Sequence, residues 1–308
     1  MNRYLIVLLW PAGLAVIAGA SLLTARRSAG DRQPGDRRPG HHQPGHHRRG
    51  EYQQGDRRPG LEQRPAAEAG RGWAAIRGAA LLAGLAALGT VAVIAVMCLL
   101  GVVVTRYGPG VDRPVFAWVQ DHQVHAMTAV MRRLTKIGDT WTTWGAAAAA
   151  AACLAVTWRR RRWVPPAALA CLVVVDHYGT LALRHVFHRA GPPTSPLGTF
   201  PSGGCDRCVV FYGLIAYLLW REFGGPRGTG AAAAGVVAAL GYNEAYSRVY
   251  LSLHWLTDAL SGLVYGGLLL AVSVAAVRVV AGPAPAAQDL RRSGQPPPAR
   301  VVPAGAVR

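Results

Sequence analysis

Ser247-Arg-Val-Tyr-Leu-Ser-Leu-His254-Trp-Leu-Thr-Asp258 holds a hydroxyl, a cation, an imidazole and a carboxylate at fixed offsets, where an apolar hairpin comes back out of a membrane. His254 and Asp258 are four apart, so on a helix they share a face and can reach each other. A carboxylate that accepts from one ring nitrogen fixes the tautomer and leaves the other nitrogen free to attack. Arg248 can bring a planar, permanently charged fork to an oxyanion, and phosphate suits it best. Taken singly, these residues read as an interfacial arginine, a snorkelling histidine and a helix-terminal aspartate. Together at this spacing they read as catalytic.

The composition around this stretch is that of an integral membrane protein. Of 308 residues, 51% are apolar and only 16% charged, and the apolar ones gather in long Ala, Leu and Val runs. The net charge is +18. Much of it lies in arginine clusters beside apolar runs, so the partner it implies is a bilayer with an anionic cytoplasmic leaflet. No element with interleaved aromatics reads nucleic acid. Cys98, Cys153 and Cys171 lie inside apolar runs and pack there. Cys205-Asp-Arg-Cys208 is a lone CxxC without the second pair that zinc needs, which leaves a disulfide or two inert thiols.

Residues 4–23 are apolar for long enough to span. They lack a good cleavage site and are followed at once by Arg26 and Arg27, so residues 1–23 read as an N-terminal anchor rather than a signal peptide. Residues 24–72 repeat Gly-Asp-Arg-Arg-Pro-Gly at 35–40 and 55–60. Such a composition cannot bury a core, and a disordered linker is expected. A membrane domain follows over 73–282, then a disordered tail over 283–308. Its spans are expected at 79–104, 144–158, 164–187, 208–220, 231–246 and 255–280, with a short amphipathic helix on the outer face within 105–140. Arg159–Arg162 and Arg221–Arg227 fall on one side of this arrangement, the cytoplasmic side. Residues 184–204 and 247–258 then meet on the opposite, extracytoplasmic side. The expected fold is all-α and polytopic: a six-helix bundle plus the anchor, multi-pass in the cell membrane.

The quoted stretch resembles the third signature of the type 2 phosphatidic acid phosphatase superfamily, lipid phosphatases related to vanadium haloperoxidases. That signature is Ser-Arg, five residues, His, three residues, Asp, and it is intact. The family's first signature is Lys, six residues, Arg-Pro. Here Arg184 stands at the Lys, Gly191 at the Arg, and Pro192 matches; Arg189 could compensate from the turn. The second, Pro-Ser-Gly-His, is Pro201-Ser202-Gly203-Gly204, without its histidine. Ser202 can cap the following helix, and the N–H groups of Gly203 and Gly204 can face an anion.

The resemblance implies a six-helix phosphatase bundle, a phosphorylated membrane lipid as substrate, and no cofactor or metal. Arg184, Ser202, Gly203 and Arg248 would hold the phosphate. His254 would form a phosphohistidine, with Asp258 orienting it. The absent histidine would have protonated the leaving group, a role worth about 10²–10⁴-fold. Activity is therefore expected to favour a polyprenyl diphosphate, whose leaving group is itself a phosphate, over a phosphatidate-type monoester. His188, on the face of Arg184 if the helix continues, and Asp206, in the turn after Gly204, are candidate replacement acids. Asp176 and His177 interrupt a deep apolar run, where ionisable groups usually face a polar interior; His177 shares a face with Arg184 two turns on. Two other functions compete: an impaired pseudoenzyme that binds a phosphorylated lipid, and a transporter or structural protein that keeps only the bundle.

Overall fold

The computed structural model describes residues 64–281, apart from 159–160, 194, 196–197 and 225–226. The anchor, most of the linker and the tail lie outside the described residues. Among those described the protein is all-helical. In chain order come α1 (Arg64–Tyr107), α2 (Pro109–His122), α3 (His125–Leu134), a 3₁₀ turn (Thr135–Gly138), α4 (Thr140–Thr157), α5 (Val164–Phe187), α6 (Gly203–Phe223), α7 (Arg227–Tyr250) and α8 (Leu256–Ala281). The start of α1 corrects the linker boundary. Pro65 suits a first helical turn and Ala66-Ala-Glu-Ala69 propagate it, so helix begins at Arg64 rather than after residue 72.

Among the described residues three helices are long and apolar enough to cross a membrane: the Ala87–Tyr107 part of α1, then α5 and α8. Their outward faces are apolar too. Leu88, Ile94 and Leu99 of α1, Val174 and Val186 of α5, and Leu260 of α8 are all exposed. Exposed apolar stripes of this length suit lipid, where every backbone group is already satisfied within its helix. α6 is different. It runs through the middle of the bundle, packed on α8, α7, α4 and α5. Phe211, Leu214 and Leu218 are fully buried on it.

Those basic residues marking topology that are described lie at one end. Arg221 lies over the Trp158 ring, and Arg278 over Tyr217. At the other end α2, α3 and the 3₁₀ turn close over the helix termini. Tyr250 donates to Val124 O at 3.1 Å and receives Val124 N–H at 2.8 Å. Gln123 donates to Tyr250 O at 2.8 Å. These bonds fasten the short helices to the turn between α7 and α8. That turn breaks the helix of the quoted stretch: Ser252 has φ +56° and helix resumes only at Leu256.

Candidate active site

The α7–α8 turn sets the direction of His254. Its Nδ1 lies 3.1 Å from Thr199 O. A carbonyl only accepts, so Nδ1 carries the proton and Nε2 keeps a free lone pair. Burial, together with the charges of Arg248 and Arg184, pushes its pKa down to about 3 from 6.5. The ring is therefore neutral across the physiological range, as a nucleophile must be.

This corrects the pairing expected with Asp258. The helix break puts the two residues on different local structures, and Asp258 is engaged elsewhere. Arg189 donates to Asp258 through Nη1 and to Asp112 of α2 through Nη2, and all three side chains are buried. Thr257 completes the cluster, giving Asp112 its N–H at 3.0 Å and its hydroxyl at 2.7 Å. Arg189 is thus a strut between two carboxylates and does not face the anion cradle. Asp258 still acts on the site at one remove. Its backbone oxygen accepts from Ser202 N at 3.1 Å. The Thr199 hydroxyl lies beside its carboxylate, while the Thr199 carbonyl holds His254.

The N-terminus of α6 is where the cations converge. A Cβ on Gly203 would lie 3.0 Å from Nη1 of Arg207 and 3.1 Å from Nη2 of Arg184. A Cβ on Gly204 would lie 2.7 Å from Nη2 of Arg248. Three guanidinium groups therefore crowd the first turn of one helix, whose unpaired N–H groups already favour an anion. Arg248 is held by Glu244 Oε1 at 2.6 Å and Asp139 Oδ1 at 3.0 Å. Arg207 donates its Nε to Gly138 O at 3.2 Å. Arg184 Nε is buried with no partner among the described residues. Arg184 and Arg207 make no ion pair among the described residues, and like charges gathered at a helix N-terminus suit an anion between them. Ser202 stands at the N-cap but makes no capping bond, contrary to expectation. Its buried Oγ has the Cys205 thiol beside it and remains available to a ligand.

The bundle at this end has a known counterpart. The fold is similar to that of a solved PAP2 type phosphatase. The solved structure of a transmembrane PAP2 type phosphatidylglycerolphosphate phosphatase from Bacillus subtilis superposes with a TM-score of 0.53 at 21% identity, covering 59% of this chain and 92% of that one. No family model and no curated protein matches the chain.

Gly191 and Gly204, which stand where the resembled signatures have an arginine and a histidine, are each closely hemmed in. A Cβ on Gly191 would lie 2.5 Å from Cγ2 of Thr199 and 3.0 Å from Cβ of Ser195, so the loop has closed over the place of the arginine. A Cβ on Gly204 would lie 2.6 Å from Glu244 Oε1. The Glu244–Arg248 pair occupies the space of the histidine.

The other expected residues divide. Asp206 is fully buried, its Oδ2 accepting from Thr180 at 3.0 Å, and it and buried Asp176 lie near enough to Arg184 to interact with it. His188 is exposed, because α5 ends there with a left-handed residue at φ +40°. His177 is exposed too and meets the Trp144 ring edge-on at 5.6 Å; the neighbouring Asp176 takes the inward position. Cys205 and Cys208 are free and buried. Sequence reasoning missed Glu244, Thr199 and Asp112, and weighed Arg207 only beside Asp206 as a stand-in for the absent histidine, not as a phosphate ligand. Arg207 is one turn after Gly204, and Glu244 is four before Arg248, so helical spacing was a usable signal for both.

Two expected results follow from this geometry. In a labelled sample followed by NMR, the His254 ring titrates well below pH 5; a midpoint near 6.5 would place it in water instead. The sign for stability is also set. The unfolded ring binds a proton below about 6.5, and the folded one only near 3. The contribution of His254 is therefore complete above 6.5 and lost as pH falls towards 3. Second, Arg207→Met raises KM for a phosphorylated substrate about tenfold or more, from loss of one charge-assisted contact, with kcat changed less. An unchanged KM would remove Arg207 from the cradle.

Proposed function

We propose that this protein is a membrane-embedded hydrolase that removes phosphate from a phosphorylated lipid by way of a phosphohistidine on His254. One observation carries the reading: an imidazole with its lone pair free is set among arginines at a helix N-terminus. Arg184, Arg207, Arg248, Ser202 Oγ and the Gly203 N–H hold the phosphate. His254 Nε2 attacks phosphorus, and the positive charge that develops on the ring is stabilised by the Thr199 carbonyl at Nδ1. The cradle spreads the charge of the transferring phosphoryl group. Asp258, through Ser202 and Thr199, is a positioning residue.

The substrate class follows from the setting: an anionic phosphate head on a hydrocarbon body that reaches the site from the bilayer. The similar solved structure is a phosphatidylglycerolphosphate phosphatase, which supports a glycerolipid phosphate as one choice. A polyprenyl diphosphate is the other. The arginine clusters at the far end of the bundle support an active site on the extracytoplasmic face. Phosphate release by purified protein from phosphatidate, phosphatidylglycerolphosphate and a polyprenyl diphosphate tests the reading, with His254→Ala as control. The second reading, a lipid-phosphate binder without turnover, is favoured by one feature: Arg248 is already tied to Glu244 and Asp139. Binding of all three lipids with no phosphate released from any would select it.

A further inference from the structure

Breaking a P–O bond to an alcohol leaves an alkoxide that needs a proton. Few groups around Gly203 and Gly204 can give one. The guanidinium groups of Arg184, Arg207 and Arg248 keep their protons. His254 Nε2 is the attacking atom, and its Nδ1 is taken by Thr199. Asp206 gives Oδ2 to Thr180 at 3.0 Å and keeps an idle Oδ1, but neither oxygen is among the atoms nearest a Cβ on Gly203 or Gly204; Asp139 is half exposed at the rim.

Glu244 is placed differently. Its side chain is fully buried. Oε1 accepts from Arg248 Nε at 2.6 Å and from the Thr135 hydroxyl at 3.2 Å. Oε2 has no partner among the described residues. Two glycines on two different elements make room for this one carboxyl group. A Cβ on Gly138 would lie 2.5 Å from its Cδ, and one on Gly204 would lie 2.6 Å from its Oε1. A buried carboxyl with one oxygen anchored and the other idle, set against the helix terminus where the anion binds, is a slot built for a purpose. Clamping Arg248 uses only one of its oxygens.

We propose that Glu244 is a catalytic residue of the hydrolysis, its Oε2 giving the proton to the departing alcohol and later taking one from water. The proposal rests on the phosphatase reading and, of its two substrate choices, selects the alkyl phosphate monoester. The proton enters with the substrate, since a phosphate monoester with a second pKa of about 6 is partly monoanionic near neutrality. That proton passes to Oε2. His254 Nε2 forms its bond to phosphorus, the P–O bond to the alcohol breaks, and its electron pair leaves with the oxygen, which takes the proton from Oε2. Water then attacks the phosphohistidine. Its oxygen bonds to phosphorus, the P–N pair returns to Nε2, and its proton goes to Oε2. Inorganic phosphate leaves with that proton, and the site is reset.

The full chain in lipid nanodiscs tests this with two probes, phosphatidate and p-nitrophenyl phosphate, whose leaving group needs no proton. Glu244→Gln keeps the shape. It should lower turnover of phosphatidate about 10²–10³-fold and that of p-nitrophenyl phosphate less than tenfold. Equal losses on both would overturn the proposal, since Glu244 would then act only through Arg248. So would the leaving-group-selective loss appearing in Asp206→Asn instead. Glu244→Ala combined with Gly204→His fills the vacated space with an imidazole. It should regain at least about tenfold of the phosphatidate turnover lost in Glu244→Ala alone, in line with the usual worth of such a group; no gain counts against the assignment. Failure of the phosphatase reading looks different: the unmodified chain would release nothing from either probe.

Discussion

His254→Ala lowers phosphate release by roughly 10⁴-fold or more, the scale seen when a nucleophile that works as part of a unit is removed. The loss falls on kcat, because the arginine cradle that binds the phosphate remains. Acid quenching hydrolyses the P–N bond and misses the intermediate, whereas alkaline quenching of the unmodified chain with labelled substrate traps phosphate on protein. The label should vanish in His254→Ala and survive in Arg207→Met. Trapped label in His254→Ala would move the nucleophile elsewhere. His254→Asn sharpens the test: a side-chain amide can keep the bond to the Thr199 carbonyl yet has no nucleophilic nitrogen, so it should be as inactive as alanine.

Arg189→Ala has the largest expected effect on stability. It leaves Asp112 and Asp258 buried without their shared cation. Breaking a buried pair in this way costs about 3–5 kcal/mol, a large share of the margin of a folded domain. Thermal unfolding in detergent should show a substantial drop in midpoint, with activity lost because the start of α8 no longer positions Ser202. Asp258→Asn removes one charge and keeps a hydrogen-bonding shape, so it should unfold earlier than the unmodified chain but later than Arg189→Ala. Its remaining protein should keep the low His254 titration, since the tautomer is set by Thr199. A His254 midpoint that moves in Asp258→Asn would reinstate direct contact between them.

Much of this was readable from residue order, and the failures have particular causes. Val164–Phe187 was placed to the residue because an arginine-rich loop marks one end and a long apolar run fills the rest. The approach of 184–204 to 247–258 followed from span parity. The pairing of His254 with Asp258 failed because the four-residue spacing assumes an unbroken helix, and Ser252 breaks it. Nothing in the linear pattern announces a left-handed serine in Tyr-Leu-Ser-Leu-His. The role of Arg189 failed for a related reason. Its partner Asp112 lies in an amphipathic helix far earlier in the chain, and no local period links the two. Arg207 and Glu244 lay at helical offsets from signature residues, but a charge on a helix predicts a partner only once the neighbouring helix is known.

The central position of α6 has a consequence for biogenesis. By hydropathy it does not rank with α1, α5 and α8, and its first turn carries Asp206 and Arg207. A nascent segment of that kind gains little by leaving the translocation channel for lipid alone. Its main packing surface is α8, the last of the described helices to be synthesised. The polar cluster at its tip therefore comes into being late, after the ribosome has finished the end of the bundle, and an unfinished chain carries the charges of the centre without the enclosure that makes them useful.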